Sequence, residues 1–398
     1  MKILVICQHY WPENFRVTEI CEALVERGHQ VTALVGLPNY PTGIIPEEYK
    51  HFKNRNQWHN GVEIKRCFEI GRRPGKIGLA VNYVSYMTSA FIKALFHKRD
   101  YDVIYAFSTS PVLMSLPAAL LRCFTKTKFM IYVLDIWPAC LAAMNVTEGS
   151  LLYRFMKPVS RWIYARADTL IYSSKRFQSY LKKVHGIEVD DQYYMPQFAD
   201  DVFSQKLPPK EKRDVCNLVF AGNIGKMQAV EVLIEAAGLL RDEPVCWHIV
   251  GDGSNFENCK QLAESLHLED KVIFYGRKPL EEMPKYYSMA DAMLVSMRND
   301  ISVNDTLPGK VQSYMAAGKP VLGSIAGETE YVIKQANCGF CASPDDPAAF
   351  AAIVKQFLSA DNQLQMGQNG AEYYHKYFTK EHHMNKLERL LMDLTEGD

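Results

Sequence analysis

The feature that most constrains this 398-residue chain is a rhythm that occurs twice: a short apolar run, a stretch with helical spacing, then another apolar run. In the first occurrence, residues 2–7 are followed by helical periodicity over 20–27, a closing Gly28-His29 pair, and a second apolar run at 30–35. A strand, a helix ended by glycine and a β-branched strand within so short a span predict a parallel sheet covered by helices. Further near-continuous apolar runs at 103–107, 129–134 and 169–172 read as strands buried on both faces.

The rhythm then restarts. Strands are expected at 217–221, 245–250, 272–275, 292–296 and 320–323, with helices at 230–240 and 259–266 between them. Residues 196–213, rich in Pro, Asp and Lys, separate the two series as a linker. The expectation is an α/β chain with two Rossmann-like, doubly wound domains, 1–195 and 196–371, in which a terminal helix over 372–398 crosses back to the first. Ligands of such sheets bind outside the carboxyl ends of the strands, so facing lobes would enclose a cleft.

Composition excludes several classes. With 48% hydrophobic residues the chain has ample material for a packed core. Ten cysteines occur singly, without metal-ligand or disulfide-framework spacing, so no metal site is expected and a reducing cytoplasm fits. The start, MKILVICQHYWP, has too short an apolar stretch for a signal peptide and reads as a buried strand. The first βα turn, 7–16, contains no glycine and lacks the dinucleotide fingerprint of a dehydrogenase. Net charge is zero, yet the first 200 residues carry 25 Lys and Arg against 17 Asp and Glu, and the remainder 20 against 28. That division suits a lobe resting on an anionic membrane, or is chance.

Five segments carry candidate chemistry. Gly222 and Gly225 end a strand just before a helix, where bare N–H groups would meet a diphosphate and Lys226 would add charge; the alternative is a tight turn whose glycines only relieve strain. The turn Leu307, Pro308, Gly309, Lys310 leads into a second helix closed by Gly318. A lysine in a helix's first turn opposes the macrodipole unless an anion is shared, which makes Lys310 the leading phosphate ligand; the alternative is a solvated lysine after a Pro-Gly turn. Asp135, immediately after a buried strand and fixed by Trp137 and Pro138, would bind sugar hydroxyls, support oxocarbenium charge or take the acceptor proton, or else only cap the strand exit. Glu13, Asn14 and Arg16 follow the first strand and suit an acceptor bearing hydroxyls or phosphate, although Glu13 could merely favour a helix start. Residues 77–96, apolar around most of the helix and flanked by Arg72, Arg73, Lys76, Lys98 and Arg99, are too polar for a membrane span and read as an interfacial helix or a core helix.

Together these residues resemble the family 4 glycosyltransferases, particularly the bacterial capsule and O-antigen branch described as L-fucosamine-transferase-like. The similarity covers nearly the whole chain and rests on five ordered segments: the opening MKILVICQHYWPENFRVTEI, VLDIWP, AGNIGKMQAVEVLIEAA, IVGDGSNFENCKQLA and LPGKVQSYMAAGKPVL. The resemblance implies a GT-B fold and a retaining transfer of an N-acetylated or deoxy hexose, without cofactor or metal. It implies a nucleotide-sugar donor, UDP before GDP, and an undecaprenyl-diphosphate-linked saccharide acceptor, with no nucleic acid. The protein would work in bacterial surface polysaccharide synthesis, peripherally on the inner face of the cytoplasmic membrane.

Residue by residue, the resemblance puts Gly222, Asn223, Gly225, Gln228, Gly251, Leu307, Pro308, Gly309 and Ser313 at the donor, with Arg277 and Lys278 in a loop lying against the base. Glu330 matches a carboxylate near the donor, or is a helix N-terminal charge. Asp135, Lys226 and Lys310 would be the catalytic groups, and Glu13, Asn14, Arg16 and Trp137 the acceptor side. Three departures stand out: many relatives carry Arg and Lys where Asn223 and Gln228 stand, and a Glu pair where Asp305 and Ser313 stand, while the wider family's catalytic-loop histidine is replaced by Asp135. Two rival readings follow, a UDP-sugar 2-epimerase of the same fold, which would change the donor without an acceptor, and an inactive nucleotide-sugar-binding protein.

Overall fold

A computed structural model describes the chain apart from residues 97–99, 145, 206, 209–214, 301–303 and 397–398. The basic residues Lys98 and Arg99, and most of the second half of the expected linker, therefore lie outside the described residues. Contacts divide the chain into two compact units, Met1–Met195 with Met384–Asp398, and Pro196–His383.

In the first unit the opening apolar run is strand β1 (Lys2–Ile6), followed by helix α1 (Arg16–Glu26) and β2 (Gln30–Val35). Gly28 ends α1 in the left-handed region at φ 87°, where its N–H reaches the Val25 carbonyl and that of His29 reaches Leu24, a closed helix C-terminus. The sheet continues through β3 (Asn56–His59), β4 (Val62–Arg66), β5 (Val103–Ser108), β6 (Lys128–Val133) and β7 (Thr169–Tyr172), in the order β3-β4-β2-β1-β5-β6-β7. Only β3 runs antiparallel to its neighbour, so the carboxyl ends of the other strands share one edge. Helices α2 (Gly75–Leu95), α3 (Leu116–Phe124), α4 (Leu151–Ala165) and α5 (Lys175–Tyr180) complete this part.

The second unit carries β8 (Cys216–Ala221), β9 (Val245–Val250), β10 (Val272–Gly276), β11 (Ala292–Ser296), β12 (Val321–Ser324) and β13 (Gly339–Ala342). They form an all-parallel sheet in the order β10-β9-β8-β11-β12-β13. The strand order reverses between β8 and β11, the switch point at which such sheets open a crevice. The helices are α6 (Val230–Leu239), α7 (Phe256–Ser265), α8 (Met283–Met289), α9 (Gly309–Ala316), α10 (Glu328–Gln335), α11 (Pro347–Leu358) and α12 (Gln363–Tyr377). The last helix, α13 (Lys380–Glu396), rejoins the first unit from Met384 onward, beyond the expected start at 372. Its Leu387 and Leu391 are fully buried, and Glu388 accepts from Arg27 Nη1 at 2.7 Å and lies 2.9 Å from His29 Nε2.

The expected strands are all present with ends within a residue or two, whereas β3, β4 and β13 went unread. Helices α1 and α7 begin earlier than expected, so Arg16 is the first residue of α1 rather than part of the loop before it. No helix among the described residues is long and apolar enough to cross a membrane.

Candidate active site

In the second unit the site is built around the end of β8. Gly222 leaves the strand at φ 149° and Gly251 leaves β9 at 141°. A side chain on Gly251 would meet the Gly222 carbonyl, so the two strand exits pack backbone to backbone. Tyr314, fully buried on α9, clamps the same exit: its hydroxyl accepts from Ala221 N at 3.1 Å and donates to Ala221 O at 3.0 Å.

The loop after Gly222 cross-links itself. Asn223 Nδ2 and Gly225 N both donate to Gln228 Oε1, at 3.0 and 3.1 Å, and Ser296 Oγ donates to Gln228 O at 2.6 Å. The two positions that departed from the family's charged pattern thus hold each other as a neutral pair. A short 3-10 turn over Lys226–Gln228 and a left-handed Ala229 then intervene before α6. The first turn of α6 carries Glu231, which is ion-paired to Arg298, and Arg298 also holds Asp345 at 2.8 Å. That helix end is met by its own carboxylate, and the N–H groups of Gly222, Ile224 and Gly225 are already given to Val250 O, Asp252 O and Gln228 Oε1, so the bare amides expected at this turn are not free for a guest.

Lys310 comes from the other side of the switch point. It is the second residue of α9, with Pro308 as N-cap and Gly318 closing the helix in the left-handed region. Its ammonium is buried, lies 4.0 Å from the centre of the Phe220 ring, and has no hydrogen-bond partner among the described residues. A Cβ built on Gly222 would come within 3.1 Å of Lys310 Nζ. Loss of hydration lowers this lysine from 10.5 to about 7. A buried cation left unpaired beside a glycine turn is an anion site in waiting, because an orphaned charge is otherwise strongly unfavourable.

The remaining donor-side residues are dispersed. Leu307 is buried, and Ser313 donates to Gly309 O at 3.2 Å. Glu330 stands in the first turn of α10 and pairs with Lys334 at 2.6 Å, the ordinary helix-surface arrangement. Lys226 and Arg277 are exposed, Lys278 half-buried. Phe220, Tyr314 and Ser296 went unread, since each acts through partners distant in sequence.

In the first unit Asp135 follows β6, half-buried, with Oδ2 accepting from Ser110 N at 2.8 Å; burial raises its pKa against that hydrogen bond. Trp137 is buried and donates through Nε1 to Ser110 Oγ at 3.0 Å, so the two strand exits of β5 and β6 are tied together. Asn14 is exposed, and Arg16 pairs with Glu19 at 2.8 Å. Glu13 has a different task from a helix-start charge: its Oε1 accepts from Asn39 N and Tyr40 N at 2.7 and 2.6 Å, and its Oε2 lies 2.9 Å from His9 Nδ1. It pins the β2 exit loop.

Sequence reasoning missed the polar cluster beside it. Glu69 Oε1 accepts from Gln8 Nε2, Asn82 Nδ2 and Asn39 Nδ2 at 2.6, 2.7 and 2.9 Å, while Oε2 accepts from Leu37 N at 3.0 Å. Burial pushes Glu69 up to about 7 against these donors. Tyr83, on α2, feels Arg72, Asp135 and Glu69, and burial raises its phenol. The one available signal was an isolated acid between Phe68 and Ile70, with Asn82 interrupting an apolar helix. Among the described residues no group of three His, Cys, Asp or Glu could hold a metal ion.

Two α/β units built on largely parallel sheets of seven and six strands are the architecture of the GT-B glycosyltransferases. The model of the 4-like glycosyl transferase domain matches residues 14–196, and that of glycosyl transferases group 1 matches residues 200–373. The chain belongs to the family 4 glycosyltransferases of this fold. It is similar to a probable glycosyltransferase, WbjE, of Pseudomonas aeruginosa, at 25% identity over 75% of this chain and 76% of the relative. It is also similar to a putative colanic acid biosynthesis glycosyl transferase, WcaI, of Escherichia coli K12, at 21% over 90% and 92%. Among solved structures, Anabaena Alr3699/HepE in complex with UDP-glucose shares the fold with a TM-score of 0.68 at 17% identity, over 98% of this chain and 99% of that one.

Proposed function

We propose that this glycosyltransferase moves an N-acetylated or deoxy hexose from a UDP-sugar, with GDP-sugars second, to an undecaprenyl-diphosphate-linked saccharide during bacterial surface polysaccharide synthesis. Transfer proceeds with retention and without a metal, at the inner face of the cytoplasmic membrane. The observation that carries this reading is the buried, unpartnered ammonium of Lys310 facing the Gly222 turn. A diphosphate placed there gains the full positive charge of Lys310, which does for a leaving group what a divalent ion does elsewhere. The UDP-glucose complex of the structural relative supports the nucleotide, and the colanic acid relative supports the pathway class.

The step is a displacement at the anomeric carbon. Its bond to the β-phosphate oxygen breaks as the charge of the departing diphosphate meets Lys310, and the sugar passes through an oxocarbenium-like state. The acceptor hydroxyl attacks on the same face and gives its proton to the departing phosphate oxygen, so no side-chain nucleophile is needed. Asp135 supplies negative charge for the oxocarbenium, and Glu330, Arg277 and Lys278 serve the donor's sugar and base. Donor turnover in Lys310→Ala tests the reading. Activity within twofold of the parent removes this lysine from the mechanism, and a panel of UDP-, GDP- and TDP-sugars in a thermal-shift screen selects the nucleotide.

A further inference from the structure

Ala229 departs from ordinary backbone geometry. It stands at φ 45°, in the left-handed region that a residue with a Cβ resists, between the 3-10 turn of the glycine loop and the start of α6. Such a conformation persists where its surroundings fix it on both sides. Before Ala229, the exit of β11 does so: Arg298 N donates to Met227 O at 2.9 Å, and Ser296 Oγ to Gln228 O at 2.6 Å. After Ala229, Arg298 Nη2 donates to Glu231 Oε1 in the first turn of α6, and the other oxygen of Glu231 accepts from Asn255 Nδ2 at 3.1 Å. One residue therefore grips the turn on either side of its strained point.

Arg298 also holds the segment that leads to Lys310. Its Nη1 donates to Asp345 Oδ1 at 2.8 Å, and Asn299 N donates to Asp345 Oδ2 at 2.9 Å. Asp345, in the turn after β13, is itself left-handed at φ 58°. From there Asp300 N donates to Arg298 O at 2.9 Å, Asn304 N to Asp300 O at 2.8 Å and Asn304 Nδ2 to Asn299 Oδ1 at 2.9 Å, six residues before Lys310. A planar guanidinium fork can hold carboxylates on two different elements at once, a geometry that the point charge of a lysine does not reproduce.

We propose that Arg298 is a positioning residue of the donor site, which keeps the Gly222–Ala229 turn, the wall that Lys310 faces, in place for the donor's diphosphate. The diphosphate rests on the function proposed above, whereas the brace rests on the hydrogen bonds alone. Arg298 acts through the turn and does not itself touch the donor.

The test compares the parent with Arg298→Met in two measurements: amide hydrogen exchange of the ligand-free chain, and calorimetric binding of UDP and UMP. The variant should exchange faster at Gly225, Gln228 and Val232, whose N–H bonds close the turn, while Gly222 and Gly251, bonded to carbonyls of the neighbouring strands, stay as slow as in the parent. UDP affinity should fall roughly tenfold or more and UMP affinity less than about threefold, since a displaced wall costs the diphosphate its fit beside Lys310. A general loss of structure would weaken both nucleotides alike. Arg298→Lys, which keeps the charge without the fork, should fall between parent and Arg298→Met. Asp345→Asn cuts one arm with a residue that tolerates left-handed backbone, and should give the same pattern at smaller size. Thermal unfolding checks that each variant folds, and the two milder ones carry the test if Arg298→Met does not. The inference is overturned if the turn amides exchange as in the parent, or if UDP and UMP weaken by the same factor. A parent that binds neither nucleotide sinks the proposed donor and this inference together; a parent that binds UDP, with variants that bind it equally well, sinks the role of Arg298 alone.

Discussion

Replacing Lys310 with methionine should stabilise the ligand-free protein while crippling donor binding. The ammonium is buried against Phe220 with no partner, and desolvation holds it at about 7 instead of 10.5. The unfolded chain therefore binds this proton more readily than the folded one between those two values, and folding is penalised there. At pH 7 the penalty is at most about 4 kcal/mol, falling to about 2 kcal/mol at pH 9 as the unfolded lysine approaches its own titration. Methionine fills similar space without the charge, and each kcal/mol recovered raises the melting temperature of a domain this size by roughly 2–4 °C. Scanning calorimetry of parent and Lys310→Met at pH 7 and 9 should show a variant that melts several degrees higher at pH 7, with a smaller gap at pH 9. A charge-assisted bond to phosphate contributes roughly 1.5–3 kcal/mol, so the same substitution should raise the dissociation constant of UDP about 10- to 100-fold. A variant that melts lower than the parent, or that binds UDP equally well, would refute the reasoning.

Other substitutions separate the parts of the account. Gly222→Ala puts a methyl 3.1 Å from Lys310 Nζ at a φ of 149°; equilibrium unfolding should show a loss of about 1–3 kcal/mol, with UDP affinity down at least about tenfold. Asp135→Asn keeps an oxygen for Ser110 N but loses the charge, so kcat should fall about 100-fold while the affinity for UDP is unchanged by calorimetry. Glu69 titrates near 7 when folded and near 4.5 when unfolded, so its contribution is present at acid pH and is lost as pH rises through 7. Urea titrations between pH 5 and 7 should show a slope of up to about 1.4 kcal/mol per pH unit that Glu69→Gln removes; an unchanged slope would assign the effect elsewhere. Leu391→Ala should cost about 2–5 kcal/mol in the first unit's unfolding, since this leucine is fully buried there.

Much of the fold was legible because parallel strands buried on both faces announce themselves as unbroken apolar runs. The strands 30–35, 169–172, 245–250 and 292–296 needed no correction, and Gly28 and Gly318 marked their helix ends through a left-handed backbone that other residues resist. The β3–β4 hairpin was not legible. Its edge strand, Asn-Gln-Trp-His, alternates between exposed and half-buried and carries little apolar signal, while β13, Gly-Phe-Cys-Ala, is only four residues long and opens on a glycine. At the site, Lys310 could be picked out from Pro-Gly-Lys at a helix start, but its isolation over Phe220 depends on which strand lies beneath it. Glu69 was illegible for the same reason: Gln8 is 61 residues away in sequence, and Asn82 gives up two donors to partners outside its own helix.

The titration of Lys310 itself, followed by NMR on lysine-labelled protein and assigned with Lys310→Met, reaches the central claim most directly. Free protein should show one lysine titrating near 7, and saturating UDP should return it to 10 or above as the diphosphate supplies the missing partner. A lysine that titrates near 10.5 without UDP, or one near 7 that UDP leaves unmoved, would contradict the account.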